Sequence, residues 1–242
     1  MHPDQEFFQA LHRAFDATLA DFTGAPPLID ALLSQAFDSF AGNVAIQCRD
    51  EPPLACARGC STCCTLRVGA TATEVLLVSR FLRAVTPRLL DRGIDLVAGL
   101  RAADARTAGL PEAARVALRQ PCPFVAQGAC VIYGVRPLAC RGHASHDVSA
   151  CMDAASGRLL QVPHSEGHRQ VRSMVQNAMQ SSLRDAGLAW GMYELNRAVL
   201  IAMDDEHSEA RWLRGEDVFA PSALAEVPAR EMAEVFDRLR PH

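Results

Sequence analysis

Eight of the nine cysteines in this chain lie between residues 56 and 151. The first four form the pattern Cys56-x3-Cys60-x2-Cys63-Cys64, and the other four are spaced more widely, at Cys122, Cys130, Cys140 and Cys151. Thiols do not persist as disulfides in a reducing compartment, so this density predicts metal ligation. Eight cysteines so close together, two of them adjacent, are not the pattern of an ordinary apolar core.

The remaining composition places limits on the compartment and the partners. The amino-terminal sequence has acids at Asp4 and Glu6 and no unbroken apolar run, unlike a secretory signal. No segment approaches about 18 uninterrupted apolar residues, so we expect no membrane span. The net charge is −4, and without a large basic patch we expect no nucleic-acid partner. We therefore expect a cytoplasmic protein.

Apolar residues recur at helical spacing through most of the chain. Thr71 and Glu74 predict a capped helix that ends at Pro87, and Gly187 is expected to end a long helix that follows His164. The only strand candidates are residues 129–133 and 158–162.

The fold class expected from these patterns is mainly α. The region from about 120 to 163 has little helical periodicity, and structureless loops of that length are rare unless something else orders them. At 242 residues we expect a single domain, 1–242. In it, helical amino- and carboxyl-terminal elements surround an irregular, cysteine-rich, metal-binding loop region at about 56–155.

The spacing of the first four cysteines suits chelation. On a helix that advances about 100° per residue they would share one face, but Gly59 favours a helical turn or a knuckle over a regular helix. The two-residue gap between Cys60 and Cys63 is a common chelating step in zinc and iron–sulfur sites. Neighbouring side chains diverge in most backbone conformations, so we expect Cys63 and Cys64 to serve different metals or different edges of one cluster.

Eight thiols permit three architectures. These are two mononuclear zinc sites with four cysteines each, one iron–sulfur cluster with spare cysteines, and a polynuclear thiolate cluster with bridging sulfurs. Each would be negatively charged, and nearby arginines could compensate that charge. The candidate ligands are Cys56, Cys60, Cys63, Cys64, Cys122, Cys130, Cys140 and Cys151, and the candidate compensating arginines are Arg58, Arg136 and Arg141.

The segments ACARGCSTCC and CPFVAQGACVIYGVRPLACRGHASHD, with the following Cys151, resemble the YkgJ-type cysteine-cluster family, also described as the CxxCxxCC family of putative zinc- or iron-chelating domains. The resemblance covers roughly residues 56–155, and YELN at 193–196 is similar to the longer members. Three residues separate Cys56 from Cys60, so the name motif is met only from Cys60 onward. The resemblance implies metal binding and transfers no reaction to this chain.

Four histidines and the ninth cysteine are further residues of types that bind metals. His143 and His146 could bind the metal directly, or could support the ligands or lie at the surface. His164 and His168 are four residues apart, but without the zincin glutamate, and we interpret them as part of a solvated helix face. Cys48 stands alone at the end of a helical pattern, and we interpret it as a core or surface thiol.

The sequence thus predicts a cytoplasmic metal-binding protein that coordinates zinc or iron, with an iron–sulfur cluster as one form of the iron site. Its partners would be metal ions and an unidentified protein. The alternative is an iron–sulfur-dependent oxidoreductase or protein-modifying enzyme. No nucleophilic triad, phosphate loop or dinucleotide fingerprint is present, so the sequence indicates no particular reaction for this alternative.

Overall fold

The computed structural model describes residues 3–22, 27–158 and 161–240. In these ranges the chain forms eleven α-helices and four strands of two residues each, which confirms the mainly α class. The helices are α1 (Pro3–Phe22), α2 (Leu28–Gln47), α3 (Ala72–Leu90), α4 (Leu96–Thr107), α5 (Glu112–Leu118), α6 (Leu138–Gly142), α7 (Val148–Ala155), α8 (Glu166–Asp185), α9 (Leu195–Asp204), α10 (Ser208–Leu213) and α11 (Ala229–Leu239).

The long helices pack in two groups. Helices α1 and α2 pack against α8, whereas α3 and α4 pack against α9, and contacts between α2 and α3 join the groups. A buried apolar cluster runs through both groups, from Phe8 in α1 to Phe236 in α11. The strands form two antiparallel pairs, β1 (Gly69–Ala70) with β4 (Tyr193–Glu194), and β2 (Val125–Ala126) with β3 (Ala129–Cys130).

Some local predictions differ from the structure. Helix α3 has the predicted capping box but continues through Pro87 to Leu90, because a proline this near the carboxyl end removes only one hydrogen bond of the last turns. Only Ala129 and Cys130 of the first strand candidate are in a strand. The second candidate, 158–162, includes residues 159 and 160, which lie outside the described ranges, and its other three residues form no strand.

The region expected to be irregular contains two short helices, α6 and α7, and is anchored to the core by three buried apolar side chains. Phe124, Ile132 and Leu138 are each at most 2% exposed and belong to the apolar cluster. Each lies two residues from a cysteine, in the pairs Cys122–Phe124, Cys130–Ile132 and Leu138–Cys140. Apolar burial therefore orders the backbone around these cysteines.

Glu74 connects helix α3 to the start of α6. Its side chain is fully buried, and Oε2 accepts hydrogen bonds from Thr71 N (2.8 Å) and Thr71 Oγ1 (2.9 Å). Its other oxygen, Oε1, accepts a hydrogen bond from Leu138 N at 2.6 Å. Burial raises the pKa of Glu74, while these hydrogen bonds and the nearby Arg141 act in the opposite direction.

We expect Leu138→Ala to lower the free energy of unfolding by about 2–5 kcal/mol, because it leaves a cavity where a fully buried side chain packed. Leu90→Ala is the matched control, since Leu90 is 50% exposed and its loss should cost within about 0.5 kcal/mol. Urea denaturation of both variants measures the difference. Equal losses in the two variants would contradict the anchoring role of Leu138.

Glu74→Gln should cost about 1–3 kcal/mol, because an amide nitrogen cannot accept a hydrogen bond and one buried N–H group loses its acceptor. Glu231→Gln, on the exposed first turn of α11, is the control and should change stability little. Thermal unfolding of the two variants under one buffer condition gives the comparison, and a Glu74→Gln variant as stable as wild type would refute this role of the carboxylate.

Candidate metal centre

The first four cysteines lie in turns between α2 and β1, with no helix among them, as Gly59 indicated. Cys60 N donates to Ala57 O at 3.0 Å, and Cys64 N donates to Ser61 O at 2.9 Å. Gly59 has φ = +96°, a value that L side chains rarely adopt. The turns leave Cys56 and Cys60 exposed, whereas Cys63 and Cys64 are half-buried.

The other four cysteines come from four different local structures. Cys122 precedes strand β2, Cys130 ends β3, Cys140 lies in α6 and Cys151 lies in α7. Cys122 N donates to Cys64 O at 2.7 Å, so the main chain itself joins the two cysteine groups. The short turn between β2 and β3 has positive φ at Gln127 and Gly128, which returns the chain directly to Cys130.

The structure regroups the eight thiols across the sequence. Burial raises the pKa of Cys56, and its thiol neighbours Cys60, Cys63 and Cys151 add to this effect. A hydrogen bond from Cys63 lowers the pKa of Cys64. The charges of Cys122, Cys130 and Cys140 act in the opposite direction and raise it. We name Cys64, Cys122, Cys130 and Cys140 the inner set, and Cys56, Cys60, Cys63 and Cys151 the outer set.

Cys63 is the link between the two sets. Its thiol hydrogen-bonds to Cys64, and its charge also acts on Cys122 and Cys140 in the inner set. The expectation that the adjacent side chains of Cys63 and Cys64 diverge is wrong here. Two tight turns, closed by Cys64 N to Ser61 O and by Leu66 N to Cys63 O, bring the two sulfurs together.

The sulfurs are close neighbours but are not at bonding geometry. Among the described residues, no three of these eight sulfurs lie within 4.8 Å of one another. Four thiolates around one zinc ion stand about 3.8 Å apart, given a Zn–S bond of about 2.3 Å in a tetrahedral site. Binding a metal would therefore require the turns that carry the thiols to close further.

Backbone N–H groups already point at several sulfurs. Ser145 N donates to Cys56 Sγ at 3.3 Å. Phe124 N donates to Cys122, and Ile132 N donates to Cys130, in each case two residues along the chain. Such N–H···S hydrogen bonds stabilise thiolates in metal and iron–sulfur centres. The donor set and its surroundings thus fit a thiolate-bound metal.

Arg136 is the arginine placed to compensate thiolate charge. Its charge lowers the pKa of Cys63, Cys130 and Cys140, against the larger effects that raise them. Its guanidinium lies 4.2 Å from the centre of the Tyr133 ring, and its buried Nε has no hydrogen-bond partner among the described residues. A negatively charged metal–thiolate centre would provide the acceptor that this Arg136 N–H group lacks.

Of the other two candidate arginines, Arg141 interacts with the charge of Cys140, and both arginines also contact aromatic rings. Arg141 donates to Arg136 O (2.9 Å) and Gly134 O (2.6 Å) and stacks on Phe37 at 3.8 Å. Arg58 lies 5.7 Å from the centre of the Tyr133 ring. Arg141 therefore shapes the loop that carries Arg136.

His143 and His146 contact residues outside the two cysteine sets. The rings of His143 and His164 are 4.6 Å apart, and burial followed by the His164 charge lowers the pKa of His143. His146 Nε2 lies 3.3 Å from Glu51 Oε2. His168 was interpreted as part of a solvated face, but it is only 8% exposed, because α2 and the turn after it cover it.

A narrow cleft beside Cys122 was not found from the sequence. It is bordered by the ion pair of Arg115 with Glu194 (3.0 Å), both only 11% exposed. Its volume is about 30 Å³, near that of one water molecule in the liquid. YELN at 193–196 gave the one available signal, since Glu194 is part of it.

Comparison with known proteins identifies the segment that contains these thiols. Residues 55–156 match the CxxCxxCC family, described as a putative zinc- or iron-chelating domain. The matched segment contains all eight cysteines of the inner and outer sets. No curated protein and no solved structure matches the chain. The CxxCxxCC resemblance is thereby confirmed, and it supports binding of a metal ion.

The helices of the described residues were also compared with the length and hydropathy that a membrane span needs. None of them is both long and apolar enough to cross a bilayer.

Metal binding should release protons. Burial raises the pKa of Cys122 to about 11 and of Cys140 to about 12, so both are neutral thiols near pH 7 in the metal-free protein. A metal binds the thiolate, so we expect affinity to rise with pH between 6 and 9. Calorimetry in buffers of different ionisation enthalpy counts the protons. Cys140→Ser should release fewer than wild type, and a pH-independent affinity would contradict the expectation.

Proposed function

We propose that this protein binds zinc or iron through eight cysteine thiolates, Cys56, Cys60, Cys63, Cys64, Cys122, Cys130, Cys140 and Cys151. The observation that carries the proposal is the convergence of these thiols from separate backbone segments onto a surface lined with N–H donors and the unpartnered Nε of Arg136. Nothing in an apolar core needs those donors beside sulfur, whereas metal-bound thiolates do.

The proposed arrangement is two metal ions, one held by the inner set and one by the outer set. Each set has four cysteines, the number that a closed zinc site uses. The contact between Cys63 and Cys64 supports placing the two ions side by side, with Cys63 able to bridge them. An iron–sulfur cluster would need only one of the two sets and would leave the other four thiols unused.

The proposed role is metal binding, storage or delivery to a protein partner. Cys56 and Cys60 are exposed, so the outer set is open to exchange with a partner, whereas Cys140 is half-buried. The proposal includes a reducing compartment such as the cytoplasm, because all nine cysteines are free. It also treats the chain as one domain, because the apolar cluster extends from α1 to α11.

An iron–sulfur enzyme is the second candidate. The cleft beside Cys122, with its buried Arg115–Glu194 ion pair, is the observation that favours it. At about 30 Å³ this cleft is far smaller than the ~300–1,000 Å³ of typical small-molecule sites. The cleft therefore gives the enzyme alternative little support.

The deciding experiment is metal and sulfide analysis of the anaerobically purified full chain. We expect the cysteine centre to account for about two metal ions per chain, without acid-labile sulfide, because each set provides one closed four-thiolate site. Iron together with acid-labile sulfide would replace the two-ion arrangement by an iron–sulfur cluster. A folded protein that retains neither zinc nor iron, and that takes up neither from solution, would refute the proposal.

Substitutions test whether the two sets are separate sites. Cys140→Ser should remove only the ion of the inner set, and Cys151→Ser only the ion of the outer set, so each variant should lose one metal ion per chain. Ser61→Ala is the control, because Ser61 lies in the same turns and is no ligand. If either cysteine variant loses both ions while its circular dichroism stays unchanged, the eight thiols form one shared cluster and not two sites.

A further inference from the structure

A mixed group of ligand atoms lies outside the eight-cysteine centre. Cys48 follows the last residue of α2, Glu51 lies in the next turn, and His168 lies in the first turn of α8. One ligand atom from each residue lies within 4.8 Å of the other two. Cys48 Sγ and His168 Nδ1 are 3.4 Å apart. Sequence spacing gave no sign of this group, since 117 residues separate Glu51 from His168.

The observed separation fits a metal site. Bonds of about 2.3 Å to sulfur and about 2.0–2.1 Å to nitrogen, at a tetrahedral angle, place the two ligand atoms about 3.5 Å apart. The 3.4 Å between Cys48 Sγ and His168 Nδ1 agrees with that edge.

Ser165 connects the three groups through hydrogen-bond contacts. Ser165 Oγ is the neighbour of all three, at 2.5 Å from Glu51 Oε2, 2.7 Å from His168 Nδ1 and 3.7 Å from Cys48 Sγ. Gly167 N donates to Glu51 Oε1 at 3.1 Å, and His146 Nε2 lies 3.3 Å from Glu51 Oε2. Hydrogen-bonded neighbours of this kind orient metal ligands.

Gly167 makes the convergence possible. A Cβ atom at this position would lie 2.5 Å from Cys48 Sγ and 2.9 Å from Glu51 Oε1, closer than real Cβ contacts. The start of α8 therefore approaches the thiol and the carboxylate more closely than any residue with a side chain would permit. The same close contact makes Gly167 a sensitive point for testing the site.

The donor chemistry is distinct from that of the cysteine centre. One thiolate and one carboxylate balance the charge of a divalent cation, and a neutral imidazole completes three ligands. Such a mixed sulfur, oxygen and nitrogen set suits Zn²⁺ or Fe²⁺. Cys48 and Glu51 are only partly buried, so water can reach a fourth position.

We propose that Cys48, Glu51 and His168 form a separate mononuclear site for Zn²⁺ or Fe²⁺ with a solvent-accessible fourth coordination position. This site goes beyond the eight-cysteine centre and does not depend on it. The two are connected through residues 145 and 146, because Ser145 N donates to Cys56 Sγ and His146 contacts Glu51.

The test is metal content and Co²⁺ binding of the full chain. Cys48→Ser and His168→Gln should each lose one metal equivalent per chain and the part of the Co²⁺–thiolate absorption that belongs to this site. His164→Gln is the matched control, a nearby histidine outside the group, and should keep wild-type metal content. Gly167→Ala keeps every ligand but crowds Cys48 Sγ, and should weaken Co²⁺ binding at this site by about 10-fold or more.

Circular dichroism of each variant separates loss of the site from loss of the fold. Folded Cys48→Ser and His168→Gln variants with wild-type metal content and unchanged Co²⁺ titrations would overturn the proposal. The outcome is independent of the cysteine centre, which Cys140→Ser and Cys151→Ser test. Those variants can lose metal from the cysteine centre and keep the ion at Cys48. Conversely, Cys48→Ser can lose the ion at Cys48 and keep the metal of the cysteine centre.

Discussion

The buried carboxylate of Glu74 holds the helical frame and the cysteine region together. It closes the amino terminus of α3 through Thr71 and accepts the hydrogen bond from Leu138 N at the start of α6, two residues before Cys140. A carboxylate in this position is stable only because each oxygen has an N–H donor, since burial disfavours its charge. The position of α6, and with it that of Cys140, depends on this contact.

Around that contact, apolar packing orders much of the region for which the sequence predicted ordering by metal. Phe124, Ile132 and Leu138 fill the core beside three of the four downstream cysteines. The thiols are therefore positioned by the fold, and the turns that carry Cys56 and Cys60 are the more exposed part of the centre. In the proposed two-ion arrangement, Cys63 would connect the inner set to an outer set that includes the exposed Cys56 and Cys60.

Local signals were readable from the sequence, and contacts between distant segments were not. The capping box at Thr71 and Glu74 is a short-range pattern and was predicted, but the bond from Glu74 to Leu138 joins residues 64 apart. The eight cysteines were identified, but their order along the chain does not show that Cys64 belongs with the downstream thiols. His168 was assigned to a solvated face because periodicity along α8 cannot show that the end of α2 covers it.

The main-chain hydrogen bond from Cys122 N to Cys64 O also determines when the centre can form during folding. Helices α3, α4 and α5 lie between these two residues, so their chain must compact before the bond closes. In an unfolded chain the thiols closest together in sequence are those of residues 56–64, which include three of the four outer-set cysteines but only Cys64 of the inner set. Metal bound early would hold Cys63 and Cys64 together before their partners arrive. In the proposed two-ion arrangement, a metal bound before folding would therefore hold together two cysteines that belong to different sets.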